Sequence, residues 1–212
     1  DLHILDVGCG TGLYAKAMLD HGVGRMSLID ASQDMLNVAS SKLATEVIPH
    51  LDSGNDRTFP NATCLLKEAN RCLKKNGIVA ITTILPENTT NYWYLNLHPE
   101  HTQRCYQVSS SLDEFETMFS KSGLQSIRKL TFLGPGIISY KNIINSNAYL
   151  DQSWVNAACV YELTTDKVMK AIHEKVHRIV QSGMWQQWMQ ENDSTEELGG
   201  VTLLVCQRGH KD

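Results

Sequence analysis

The sequence predicts an α/β fold with a doubly wound, mainly parallel sheet. Short apolar runs alternate with segments whose apolar residues recur at helical spacing, the pattern of strands connected by helices. The first apolar run leads directly into a glycine-rich turn, LDVGCGTG at residues 5–12. The 212 residues suffice for one sizeable α/β domain and are too few for two large ones.

The first four elements alternate between strand and helix. Residues 2–7 form a short apolar run typical of a buried parallel strand, and residues 13–21 then carry apolar side chains at helical spacing. A second strand is predicted over residues 25–30. The next helix begins after Ser32, a favourable N-cap residue, and extends to about residue 43.

The rest of the chain continues the alternation. We predict helices over 65–75 and 112–122, and strands over 77–85, 127–133 and 201–206. Residues 134–198 lie between the last two strands and contain a long amphipathic helical pattern. This helical insert either packs on the body of the protein or forms a lid over a pocket, since connections of this length are uncommon without a function.

Composition argues against several classes of partner. The net charge of −4 disfavours nucleic acid, whose binding domains usually carry a basic patch. The longest apolar stretch, GIVAITTIL, is much shorter than the ~20 residues of a membrane span. No two of the six cysteines form a C-x-x-C pair, which favours reduced thiols in the cytoplasm over zinc or disulfides. Because the sequence starts at Asp1 and its first strand follows at once, we expect an N-terminally truncated chain.

The glycine-rich turn has the spacing of a ligand cradle. Gly8, Gly10 and Gly12 alternate with small residues, so the backbone can adopt positive φ and approach a ligand closely. A dinucleotide-binding turn would carry its third glycine at position 13, where this chain has Leu13. The spacing therefore disfavours a nicotinamide-dependent oxidoreductase.

Two acidic residues flank this turn. Asp6 stands two residues before the first glycine, where a carboxylate would repel a pyrophosphate but suits an amino group. Asp30 ends the second predicted strand, where an acid can accept hydrogen bonds from a ribose diol. A nucleoside with a cationic, phosphate-free tail satisfies both acids, and S-adenosylmethionine is such a molecule.

LDVGCGTG followed by LIDASQDML resembles the class I S-adenosylmethionine-dependent methyltransferases, especially the "type 11" small-molecule branch. LLKEANRCLKKNGIVAIT resembles the helix and fifth strand of that family. The resemblance implies a Rossmann-like methyltransferase fold, a single domain over 1–212 and S-adenosylmethionine as cofactor. The positions it implies for cofactor binding are Asp6, Gly8, Cys9, Gly10, Gly12, Asp30 and Ala31.

One part of the family pattern is missing. EVIPHLD at 46–52 resembles the end of the fourth strand, so the third strand and the start of the fourth have no counterpart. Either the chain omits a stretch after Thr45, or the sheet is smaller than in the family. A true deletion would open the adenine pocket and put activity in doubt.

The acceptor site is the least specified part. His50 is the candidate general base, and an acceptor pocket is predicted from the aromatic residues Tyr92, Trp93, Tyr94 and Tyr140. The segment HPEHTQRC has metal-ligand residue types, but Pro99 favours a turn and no second cluster is near, so no metal is predicted. The predicted function is methyl transfer to a small-molecule acceptor, and the alternative is a catalytically inactive methyltransferase-like binding or interaction module.

Overall fold

The computed structural model describes residues 2–43, 46–47, 62–133 and 164–209. The chain divides into two compact units, Asp1–Asp56 and Arg57–Asp212. Each unit has its own three-stranded sheet and its own hydrophobic core. None of the described helices combines the length and the apolar character that crossing a membrane requires.

The N-terminal unit alternates strands and helices, as predicted. Its elements are β1 (His3–Val7), α1 (Leu13–Asp20), β2 (Arg25–Ile29), α2 (Gln33–Lys42) and β3 (Glu46–Val47). The strands are parallel in the order β1-β2-β3. Met26 and Leu28 of β2 are fully buried with Ala15 of α1 and Ala39 of α2, so both helices pack on the central strand.

Strand β3 differs from the sequence expectation. The resemblance assigns residues 46–52 to the end of a fourth strand, whereas the structure pairs Glu46 with Ser27 and Val47 with Leu28 of β2. The chain between β2 and β3 includes all of α2, which is long enough for a parallel crossover. Glu46–Val47 is therefore a third strand paired with β2, although the sequence had shown no counterpart of the family's third strand.

The C-terminal unit contains the remaining elements. They are α3 (Ala62–Cys72), β4 (Ile78–Thr83), 3₁₀ turns at Pro86–Asn91 and Leu95–Leu97, α4 (Pro99–Val108), α5 (Leu112–Lys121), β5 (Leu124–Thr131), α6 (Asp166–Gln181), α7 (Trp185–Asn192), α8 (Thr195–Leu198) and β6 (Thr202–Arg208). The sheet order is β4-β6-β5, and β6 is antiparallel to both neighbours. The mainly parallel prediction thus holds for the N-terminal sheet, while this sheet is antiparallel.

Helix α4 was not predicted from the sequence. Pro99 indicated a turn, but proline is also well suited to the first position of a helix, where its missing N–H has no partner to lose. His98 acts as the N-cap, since its Nδ1 accepts the Glu100 N–H at 3.2 Å. Pro99 is therefore both the residue that indicated a turn and the first residue of α4.

The described part of the predicted insert is helical and belongs to the core of its unit. Helix α6 buries Val168, Ile172 and Val176, one residue per turn along a single face. These side chains join a cluster that also contains Trp93 and Trp185. For residues 164–198 the structure thus supports packing on the body, and the rest of the insert lies outside the described residues.

Candidate functional site

The glycine turn joins β1 to α1 and requires glycine for two different reasons. Gly8, Gly10 and Gly12 all have left-handed backbone angles, with φ of 75°, 53° and 75°. A Cβ on Gly12 would lie 2.7 Å from Leu43 Cδ1, so this glycine permits close packing on α2. A Cβ on Gly8 or Gly10 would meet, beyond its chain neighbours, no atom of the described residues within 4 Å, so these residues leave space on that side of the turn.

Three successive amides of the turn are already bonded to the end of β2. The N–H groups of Gly8 and Cys9 both donate to the Ile29 carbonyl, at 2.8 and 3.1 Å. The Gly10 N–H donates to Asp30 Oδ2 at 2.7 Å. Turns that bind phosphate do so with backbone N–H groups pointing at the anion. These amides point to acceptors of the protein itself, so the turn is poorly suited to a pyrophosphate.

Asp30 bonds to the backbone through both carboxylate oxygens. Besides the Gly10 contact of Oδ2, its Oδ1 accepts the Ser32 N–H at 2.9 Å. Each carboxylate oxygen can accept about two hydrogen bonds, so both keep capacity for a hydroxyl donor. Ala31 is exposed beside it. These two backbone bonds of Asp30 were missed from the sequence, although an Asp side chain that accepts the N–H two residues further on is a typical turn.

Asp6 carries the electrostatic signature of the site. Its side chain is half-buried at the end of β1, and its Oδ2 is fully buried with no hydrogen-bond partner among the described residues. Burial, and then the negative charge of Asp30, raise the pKa of the Asp6 carboxyl above its usual value. Burial and the Asp6 charge also raise the pKa of the Tyr14 hydroxyl, which the sequence did not single out. A bound cation next to Asp6 would offset both the desolvation cost of its carboxylate and the repulsion by Asp30.

The aromatic residues predicted to line an acceptor pocket belong, where the structure describes them, to the C-terminal unit. Tyr92, Trp93 and Tyr94 are almost fully buried, with exposures of 4%, 3% and 6%, in the core of the C-terminal unit. The Trp93 ring packs edge-on to the Trp185 ring at 5.2 Å between centroids. His50 and Tyr140 lie outside the described residues.

The described part of the C-terminal unit has an open groove of about 400 Å³ on the surface of α4. Its lining consists of Asn96, Pro99, Thr102, Gln103 and Tyr106. None of the three predicted acceptor-pocket aromatic residues of this unit, at positions 92–94, belongs to that lining.

His101 of the segment HPEHTQRC makes contacts within the protein core. His101 is fully buried, its Nδ1 lies 2.7 Å from Thr164 Oγ1, and its Nε2 lies 3.9 Å from Cys105 Sγ. No group of three or more metal-ligating side chains is found in the parts of the chain that the structure describes. His101 thus connects α4 to the segment that precedes α6.

We predict that His101 makes the protein sensitive to acid. Burial, with the nearby His98 charge as the smaller cause, lowers the pKa of His101 from 6.5 to about 4. The unfolded chain therefore takes up this proton first, so stability is retained above pH 6.5 and lost as pH falls towards 4. The loss should amount to about 3 kcal/mol in the free energy of unfolding.

Urea unfolding at several pH values, followed by tryptophan fluorescence, measures this effect. His101→Gln keeps a group that can bond Thr164 but does not titrate, so its stability should change less between pH 6.5 and 4. An identical pH dependence in the variant would contradict the prediction. His177→Gln, at an exposed position of α6, is the matched control.

Comparison with known proteins agrees with the α/β architecture. A family model described as a methyltransferase domain matches residues 4–56, which include β1, the glycine turn and Asp30. No curated protein matches the chain in sequence.

Solved structures resemble most of the chain. A protein described as a methyltransferase of an antibiotic biosynthesis pathway from Anabaena variabilis has a TM-score of 0.68 and 15% identity, covering 96% of this chain and 89% of that one. An S-adenosylmethionine-dependent methyltransferase from Mesorhizobium loti has a TM-score of 0.52 and 14% identity, with coverages of 98% and 91%. A mycolic acid cyclopropane synthase, solved with S-adenosylhomocysteine, has a TM-score of 0.51 and 13% identity, with coverages of 97% and 78%.

At these identities the structural likeness establishes a Rossmann-like fold and nothing finer. The family match covers the segment that contains the glycine turn and the acid that follows β2. Residues 4–56 thus resemble a methyltransferase domain, and the chain as a whole has the Rossmann-like fold of solved structures described as methyltransferases.

Proposed function

We propose that the chain transfers a methyl group from S-adenosylmethionine to a small-molecule acceptor, and that the cofactor binds at the glycine turn. The observation that carries this proposal is the pair of carboxylates, Asp6 and Asp30, beside a turn whose amides are occupied by the protein. Such a site favours a cationic nucleoside and disfavours a nucleotide. A nicotinamide-dependent oxidoreductase would instead have to favour a dinucleotide with its negatively charged pyrophosphate.

Different residues at the turn suit different parts of the ligand. Asp6 suits the ammonium of the methionine part, because its buried Oδ2 has no other described partner. Asp30 suits the ribose hydroxyls, since both its oxygens can accept further bonds. Gly8 and Gly10 leave space for close approach, and Cys9 and Ala31 complete the predicted cofactor set.

When bound, S-adenosylmethionine supplies an electrophilic methyl carbon on a sulfonium sulfur. The chain's own contribution is to bind, orient and exclude water, and good orientation can lower a barrier by about 7–11 kcal/mol. A general base is required only when the acceptor must lose a proton. His50 stays our proposed base for that case, and the cytoplasm our proposed location, since the described cysteines are free thiols.

Titration calorimetry with S-adenosylhomocysteine, and with NADH as the competing ligand, tests the cofactor assignment. We expect heat from the first and none from the second. A folded sample that binds NADH and not S-adenosylhomocysteine would contradict the proposal. Transfer of a labelled methyl group to a panel of small molecules, scored by mass spectrometry, then tests the reaction and finds the acceptor.

A catalytically inactive binding or interaction module is the second candidate. It is favoured by the burial of Tyr92, Trp93 and Tyr94, which removes these three side chains from the surface that an acceptor could contact. The two candidates differ in outcome: the module would bind S-adenosylhomocysteine, or nothing, and transfer no methyl group to any acceptor. Transfer to a single acceptor would exclude it.

We predict that Asp6→Asn weakens cofactor binding at pH 7 by about 10- to 100-fold, the usual value of a hydrogen bond to a charged group. Because burial and Asp30 raise the pKa of Asp6, wild-type affinity should fall as pH drops through that raised pKa, and the variant should lose this dependence. The variant also removes the repulsion by Asp30, so it should melt no lower than wild type. Asp20→Asn, at an exposed site on α1, is the control, and equal affinities for all three proteins would exclude the assigned role.

A further inference from the structure

At the tip of the glycine turn, Cys9 is buried in the core of the N-terminal unit, whereas Gly10 has no side chain to pack and is held by hydrogen bonds. Gly12 packs against Ala39 of α2 and against Leu43, which directly follows α2, and this fixes the end of the turn that enters α1. The other end is fixed where Gly8 and Cys9 bond the Ile29 carbonyl. Gly10 stands between these anchors, and within the described part of the chain no atom except those of its neighbours lies within 4 Å of its Cβ position.

The Gly10 carbonyl accepts a weak bond from Cys9 Sγ at 3.6 Å, and the Gly10 N–H is bonded to Asp30. Asp30 Oδ2 accepts the Gly10 N–H at 2.7 Å, a short bond to a charged acceptor. The same carboxylate accepts the N–H of Ser32, whose hydroxyl oxygen in turn accepts the Met35 N–H at 3.3 Å and caps α2. One side chain therefore ties the glycine turn to the start of α2.

We propose that Asp30 is a positioning residue for the glycine turn, which it holds in its binding conformation before any ligand arrives. This role is additional to the ribose contact and rests on the proposed function for its value to the enzyme. It explains why an acid is useful at this position in the ligand-free chain. The turn is formed in advance, so binding need not supply the cost of ordering it.

Amide hydrogen exchange, measured by NMR on the ligand-free full chain, tests the proposal directly. In Asp30→Ala we expect the Gly10 and Ser32 amides to exchange at least about tenfold faster than in wild type, the loss expected for a charge-assisted bond. Asp34→Ala removes a nearby exposed acid from α2 and should leave both rates unchanged. A Gly10 amide that exchanges equally fast in wild type and Asp30→Ala overturns the proposal.

Asp30→Asn provides a second decision, which also serves if Asp30→Ala does not fold. The asparagine carbonyl can accept only one of the two N–H groups, because its amide nitrogen is a donor. We expect one amide to keep its protection and the other to lose it. Wild-type protection at both amides would overturn the role of the carboxylate.

A ligand without ribose hydroxyls separates the two roles of Asp30. S-adenosylhomocysteine and its 2′,3′-dideoxy analogue are titrated into wild type and Asp30→Ala. If Asp30 only bonded the hydroxyls, the variant would bind the dideoxy analogue as tightly as wild type does, and positioning would be rejected. We expect the variant to bind it several-fold more weakly. If wild type bound neither ligand, the proposed function would fail, while the exchange rates would still decide the positioning role.

Discussion

Gly200→Ala is expected to destabilise the C-terminal unit strongly, although it adds only one methyl group. A Cβ at position 200 would overlap Tyr92 Oη and Tyr92 Cζ and would lie 3.0 Å from Tyr92 Cε1. These are atoms of a rigid ring that is itself buried and packs at 5.2 Å from the Tyr94 ring. The ring cannot rotate away as a flexible side-chain end could, so it or the backbone must shift.

The backbone at this position has little freedom. The Gly200 N–H donates to the Phe132 carbonyl, and the Phe132 N–H donates to the Val201 carbonyl, so the segment is bonded to the chain that continues β5. We expect a loss of about 3 kcal/mol or more, the upper range for an overpacked core. In a protein of this size that corresponds to a fall of roughly 6–12 °C in melting temperature.

Thermal melts followed by the fluorescence of the Trp93, Trp185 and Trp188 cluster measure the effect within this unit. Gly209→Ala is the matched control, because a Cβ there would make only an ordinary contact, 3.5 Å from the Gly123 oxygen. The two variants should differ by several degrees. A Gly200→Ala protein that melts with wild type would show that Tyr92 does not occupy this position.

The sequence predicted the elements whose signals are local. Strands β1, β2 and β4 and helices α1, α2 and α5 were expected within a few residues of their bounds, because apolar periodicity, caps and glycine stops all agree there. Helix α4 was missed because its proline is both a turn signal and a helix start. Strand β3 was misplaced because two residues carry no periodicity, and only pairing with β2 identifies them.

Some features of the site can likewise be predicted from the sequence, and others depend on the tertiary structure. The glycine spacing and the two acids can be found from the sequence, since they are properties of residue type and order. The acceptor of each turn amide depends on how β1 and β2 lie side by side, which periodicity does not report. The aromatic run at 92–94 was interpreted as a pocket because it follows a strand, yet aromatic residues bury large apolar areas and in this chain fill the core of their unit.

Gly10→Val is expected to abolish cofactor binding while leaving the protein folded. The Cβ would point into the open side of the turn and, apart from its chain neighbours, would meet no atom of the residues that the structure describes within 4 Å. Its cost to folding is then the backbone strain of a side chain at positive φ, about 1–2 kcal/mol. If the cofactor occupies that open side, the added methyl groups take its place, and affinity for S-adenosylhomocysteine should fall by at least about 100-fold.

Gly22→Val separates the loss of space from backbone strain. Gly22 also has a positive φ, 91°, and a Cβ there would likewise meet no non-neighbouring atom of the described ranges within 4 Å, but it lies in the turn between α1 and β2. Both variants should therefore lose similar stability in urea, and only Gly10→Val should lose binding in calorimetry. If Gly10→Val bound S-adenosylhomocysteine as tightly as wild type does, the cofactor would lie away from Gly10. Equal losses of affinity would instead attribute the effect to strain, so the pair decides whether the bare backbone at Gly10 serves the ligand or only the fold.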